Sequence, residues 1–401
     1  MKVKSLLFVL IASLVFSTPS FAHKKQAKKP VKGYVFTDEV VVPHTGVNNQ
    51  YMSGTCWDYS GLEFVQDEIL RTTGKKYDLS EMFNVYHQYA GRAIKYVRLH
   101  GKMGFGAGGE TTDVMWIIKK YGMVPESVYT GMDYGTKLPV QMEMDKVLQN
   151  YVDAIVSDPN HKLTPVWHKG FDAILTSYLG EIPKTFQYEG KTYTPKSFRD
   201  MTGFNPDNIV PITSFKDHPY FTKFPIAVRD NWRWIPYNNV PMKDLIVIIN
   251  NALRHGYTVV WGTDVSNKGF NWKKGVAFVP NKHPKLEGKA LEEWNSLSRR
   301  QKEQRLYNAD SIVQEATITP EMRQEAYDNY STTDDHGMLF VGIAHDQNGN
   351  TFYKVENSWG THQKYHGYIY VSAAYIELNT TTISVNKAAI PADLRAKMGI
   401  K

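Results

Sequence analysis

The sequence predicts an α+β fold, helical early in the chain and β-rich near its end. Two stretches carry helical periodicity and stop at a glycine: Trp57–Thr73 before Gly74, and Thr111–Tyr121 before Gly122. Late in the chain a strand-like apolar run goes from His336 through Ile343, and a second ends at Val355-Glu356-Asn357-Ser358-Trp359-Gly360. Between these runs, Asp346-Gln347-Asn348-Gly349-Asn350 reads as a hairpin turn, with Asn348-Gly349 suited to positive φ. Helices grouped in one part and strands in another define the class.

From the start of the chain, Lys2 and Lys4 precede a short apolar run, Leu6 to Phe16, and Ser20-Phe21-Ala22 offers small residues where a signal peptidase would cut. Residues 1–22 are therefore expected to be a cleaved signal peptide, with the mature chain beginning at His23 in the periplasm or outside the cell. The run is shorter than the roughly 20 apolar residues that span a bilayer. It does not end on a cysteine, which excludes a lipoprotein anchor. Residues 23–33 form a basic flexible leader, and 34–401 the folded domain.

The formal charge of +7 comes from the lysines at 2, 4, 24, 25, 28, 29 and 32, so residues 34–401 sum to zero. A neutral body gives no basic groove for nucleic acid. The length and 13% aromatic content suit a well-packed globular domain. No later segment is long and apolar enough to cross a membrane. Pro159–Val166 reads as a loop, and the charged stretch Pro280–Arg305, with Leu291, Trp294, Leu297 and Leu306, as a solvent-facing helical insertion.

The chain has one cysteine, Cys56, in Gln50-Tyr51-Met52-Ser53-Gly54-Thr55-Cys56-Trp57-Asp58-Tyr59-Ser60. An exported protein normally pairs its cysteines, so a lone thiol is either a buried small hydrophobe or a nucleophile. Its place at the start of a helix favours the second reading, because free backbone N–H groups there stabilise a thiolate. In the helix it opens, Phe64, Val65, Ile69 and Leu70 form the expected inward stripe. Gln50 is placed to donate its amide to an oxyanion together with the Cys56 N–H.

The segment Q-x-x-S-G-x-C-W-x-Y-S resembles the active-site segment of papain-type cysteine peptidases, in the bleomycin hydrolase and aminopeptidase C branch. Asp335-His336-Gly337-Met338 and Asn357-Ser358-Trp359-Gly360 are similar to that family's histidine and asparagine motifs, in family order. The resemblance implies a papain-like two-lobed cysteine peptidase fold with insertions. It implies Gln50, Cys56, His336 and Asn357 as catalytic residues, with Trp57 and Trp359 supporting them. His336 would take and return the thiol proton, Asn357 would orient the ring, and Trp359 would shield that contact.

Gly104-Phe105-Gly106-Ala107-Gly108-Gly109-Glu110 lacks the Lys-Ser/Thr of a phosphate loop. By resemblance, Gly108 and Gly109 bind an extended substrate through bare backbone groups. Lys120–Pro125, Tyr178–Pro183 and Trp261–Val265 also look like family landmarks. Asp58 departs from the family by placing a charge beside the nucleophile. The tail after Val385 is shorter than the family's, and Ala392–Met398 reads as a short helix.

The function so implied is an exported thiol protease acting on peptide substrates without cofactor or metal, of aminopeptidase type. An open-cleft endopeptidase or dipeptidyl peptidase is the alternative if the tail cannot enter the cleft. A catalytically idle peptide-binding protein and a Cys-His amidase or transferase are the readings from other classes. The family also implies a homo-oligomer, a hexamer with enclosed sites.

Overall fold

In the computed structural model, residues 33–159 and 162–401 are described, so the signal-peptide and leader expectations lie outside the described residues, apart from Gly33. Helix α1 (Cys56–Thr73) runs through the middle of the protein. Beside it stand α2 (Glu81–Arg98), α3 (Thr111–Tyr121), α4 (Met142–Val156) and α5 (Val166–Leu179). Their apolar faces share one core that includes Leu62, Val65, Ile69, Phe83, Tyr89, Ile117, Leu148 and Phe171. The termini of α1 and α3 fall where the sequence puts them, with Gly74 in the left-handed region at φ 72° and Gly122 at φ 99°.

Among the described residues eleven strands form one mixed sheet. At its centre Thr380–Asn386, Val259–Thr263, His336–Asp346, Thr351–Glu356 and Tyr368–Ser372 pair antiparallel in that order. Phe36–Val41 is added along the outer part of His336–Asp346. The long strand runs three residues past Ile343, because its partners Thr351–Glu356 and Phe36–Val41 continue the ladder to the hairpin. At the turn only Gly349 has positive φ, 82°, while the Asp346 carboxylate accepts from the Asn348 and Asn350 N–H groups.

Strand alternation separates two cores. Met338 and Phe340 face a core with Trp261, Ile383 and the helix Met242–Arg254, whereas Leu339 and Val341 face Phe64 of α1 together with Val260. Helix α1 is thus buried on nearly every side between helices and sheet, and it is more than a one-sided stripe. Leu70, expected inward, is only half-buried because the helix emerges from that sandwich at its last turn. The insertion Pro280–Arg305 holds two short helices, Gly288–Ser296 and Arg299–Leu306, with no buried residue.

Central burial of α1 also encloses acids. Asp67 Oδ1 accepts from the Thr45 N–H at 2.8 Å, but burial, then the neighbouring Glu356 carboxylate, lift its pKa from 3.8 to about 8. Below pH 4 the group is protonated in folded and unfolded chains alike. As pH rises from there the unfolded chain ionises first, so stability falls until the folded group ionises near 8. Thermal unfolding is therefore expected at a lower temperature at pH 8.5 than at pH 5. Asp67→Asn, which cannot ionise, should narrow that difference when both pH values are scanned.

Candidate active site

The strand start at His336 is held against the helix start at Cys56 by a close approach at Gly337. A Cβ there would lie 2.8 Å from Ser60 Oγ and 3.3 Å from the Cys56 carbonyl oxygen. Cys56, Gln50, Trp57, Gly108, Gly109, His336 and Trp359 line one cavity of about 570 Å³ between the helical and β-rich lobes. Cys56 is half-buried, at the first position of α1, and its thiol takes hydrogen bonds from the Gly337 and Trp57 N–H groups.

His336 Nε2 lies 2.8 Å from Asn357 Oδ1. With that oxygen as acceptor the ring proton sits on Nε2, which leaves Nδ1 as the base. Trp359 lies over the imidazole, ring centroids 4.6 Å apart, and is itself flanked by Trp272 and Phe270. Asn357 is fixed by its own N–H, which donates to the Gly367 carbonyl at 3.0 Å.

Gln50 is buried and held from three directions. Its backbone N–H donates to the Ser358 carbonyl at 2.9 Å, its Oε1 accepts from Ser358 Oγ at 2.6 Å, and its Nε2 donates to the Ser53 carbonyl at 2.8 Å. One amide proton remains for the cavity. Ser358 therefore ties the residue after Asn357 to the segment before Cys56, a role that nothing in its own neighbourhood of the sequence signals.

The electrostatics differ from the thiolate expected at a helix start. Burial, followed by the Asp230 and Asp334 carboxylates, pushes the Cys56 thiol up to about 12. Both carboxylates act in the same direction as burial. Burial lowers His336 to about 4 against the opposing bond from Asn357. Both shifts favour the uncharged forms of the thiol and the imidazole. Asp58, which departs from the family beside the nucleophile, is buried: its Oδ1 accepts from Asn84 at 2.7 Å, and burial raises its carboxyl well above the usual carboxylate range.

The glycine run is occupied in part. The Gly108 carbonyl accepts from Arg92 Nη1 at 2.5 Å and Gln88 Nε2 at 2.9 Å, so it is not bare. Among the described residues the Gly109 amide and carbonyl have no backbone or side-chain partner. A Cβ on Gly108 would lie 2.2 Å from Asp230 Oδ2, so that carboxylate rests directly on the glycine backbone. Trp57 Nε1 donates to the Ala107 carbonyl at 2.9 Å and anchors the loop from below.

Three acids of the cavity went unremarked in the sequence: Asp230, Glu110 and Asp334. Glu110 directly follows Gly108-Gly109, and Asp334 precedes Asp335-His336, which was the available signal. The chain's last segment is elsewhere: Ile390, Leu394, Met398 and Ile400 pack on the core beside the helix Met242–Arg254, and Lys401 is exposed. Among the described residues no helix is long and apolar enough to cross a membrane.

Fold and site together define the class of papain-like cysteine peptidases. The model of the Peptidase C1-like family matches residues 88–319 and 299–400, and the chain belongs to that family. Aminopeptidase C of Lactobacillus delbrueckii subsp. lactis is 23% identical over 90% of this chain and 83% of its own. Bleomycin hydrolase of Rattus norvegicus is 22% identical over 91% and 86%. The crystal structure of PepW from Lactobacillus rhamnosis HN001 covers 90% of this chain and 84% of its own, with a TM-score of 0.68 at 19% identity, a likeness of fold.

Proposed function

We propose that this protein is a cysteine aminopeptidase in which Cys56 is the nucleophile, His336 the general base and acid, Asn357 the residue that orients the imidazole, and Gln50 an oxyanion donor. The observation that carries the reading is the His336–Asn357 bond of 2.8 Å under Trp359, on the same cavity as Cys56 and Gln50. Aminopeptidases matched over 90% of this chain and 83–84% of their own support the exopeptidase mode, while the last segment, packed away from the cleft, leaves the open-cleft endopeptidase as the alternative.

In the reaction, His336 Nδ1 takes the Cys56 proton as sulfur adds to the carbonyl carbon. The oxyanion gathers the free Gln50 amide proton and the Cys56 N–H. The imidazolium then gives its proton to the departing amine, leaving a thioester on Cys56 that water hydrolyses with His336 as base. Burial favours the neutral thiol and the neutral imidazole, so the proton transfer is drawn together with attack. The kcat/KM profile should accordingly fall as pH drops through about 4, where His336 takes a proton and ceases to be a base. A limb near 6.5, the ordinary histidine value, would contradict this assignment.

The basic start and short apolar run of residues 2–16, with Ala22 at the expected cut, support export as part of this proposal. Amino-terminal sequencing of the protein recovered outside the cytoplasm tests it, with His23 as the expected first residue.

A further inference from the structure

Beside the nucleophile, the cavity ends in carboxylates that lack a cation. Glu110 is 5% exposed and lines the cavity; its Oε2 accepts from Tyr237 Oη at 3.1 Å and Thr382 Oγ1 at 3.4 Å, while its Oε1 is buried without a donor. Asp334, 2 residues before His336, accepts from Thr381 Oγ1 and lines the same cavity as Glu110. Among the described residues neither carboxyl makes an ion pair. The nearby cations are committed elsewhere: Arg92 to Asp230 at 3.2 Å and to the carbonyls of Gly104 and Gly108, and Arg229 to the Phe105 carbonyl at 3.2 Å.

Two buried carboxyls facing an open cavity without a lysine or arginine are costly, and the natural completion is a cation brought by the ligand. No group of three or more acids, histidines or cysteines among the described residues is arranged to hold a metal ion. A substrate held by Cys56 and Gln50 at its scissile carbonyl would extend past Gly109 toward this end. Asp230 is seated on Gly108 and lines the same cavity.

We propose that Glu110 and Asp334, with Asp230 at their margin, form a subsite that binds an ammonium group of the peptide substrate, the free α-amino group being the source favoured by an exopeptidase. The inference rests on the aminopeptidase reading for the identity of the ammonium, but the subsite can be tested apart from turnover. It also bears on the nucleophile. The Asp334 and Asp230 carboxylates are among the groups that hold Cys56 protonated, and an ammonium between them offsets that effect when substrate arrives.

The test is calorimetric binding to the full chain carrying Cys56→Ala, which cannot turn over. Three ligands are compared: a tripeptide amide with a free amino terminus, its N-acetyl form, and an N-acetyl peptide with lysine in the position next to the terminus. The free-amine peptide is expected to bind at least tenfold tighter than its acetyl form. That ratio should fall to within about twofold when Asp334→Asn or Glu110→Gln is added. Tight binding of the acetyl-lysyl peptide would support the subsite with a side-chain ammonium as its ligand. Equal binding of all three to Cys56→Ala, a comparison that needs no change in the acid pair, would overturn the inference. Absence of turnover in the unsubstituted enzyme would sink the peptidase reading alone.

Discussion

Replacing Cys56 by alanine is expected to leave a folded protein with no measurable peptide hydrolysis. The side chain is half-buried at the start of α1, where alanine is a good helix former and opens little space, so packing should survive. Chemistry should not. Without the sulfur there is no acyl-enzyme, and His336 has no proton to take from a nucleophile; loss of a nucleophile in a comparable triad costs about 10⁶-fold in kcat. Circular dichroism and thermal unfolding should overlay those of the unsubstituted protein while product formation disappears. Turnover within tenfold of the original would remove Cys56 from the mechanism.

Gln50→Ala should lower kcat by about 10²- to 10³-fold with little change in KM, the size expected when one oxyanion donor is lost. The amide is already fixed by Ser358 and Ser53 before substrate arrives, so its stabilisation requires no reordering during the reaction. Since that donor acts on charge that exists only in the transition state, its loss belongs in kcat. Ser358→Ala provides a graded control. It frees Gln50 Oε1 while leaving the amide in place, and should cost less than Gln50→Ala. An effect confined to KM would make Gln50 a substrate-binding residue.

The four polar residues of the proposed mechanism are suggested by the sequence through their joint resemblance to the family's motifs, since His336 or Asn357 alone would not single itself out. Cys56 opens a helix that ends on Gly74, Gln50 precedes it at fixed spacing, and His336 and Asn357 lie at the ends of two strands joined by a glycine turn. The hairpin register then brings their side chains to 2.8 Å. What could not be read is what depends on the two lobes meeting. Asp230, Glu110 and Asp334 come from three separate segments, and only the closed cleft places them together. The helix start suggested a thiolate, but desolvation and the Asp230 and Asp334 carboxylates outweigh the helix terminus and appear in no single stretch of sequence. Leu70 is less buried than an inward stripe implies because α1 emerges from its neighbours at the last turn.

The most direct measurement is mass spectrometry of products from peptides offered in pairs, one with a free and one with an acetylated amino terminus, to the mature protein and to its Cys56→Ala form. Free-amine peptides are expected to be shortened stepwise from the amino terminus, acetylated ones to resist, and Cys56→Ala to cleave neither. Efficient internal cutting of acetylated peptides would contradict the aminopeptidase assignment, and cleavage by Cys56→Ala would contradict the thiol mechanism itself.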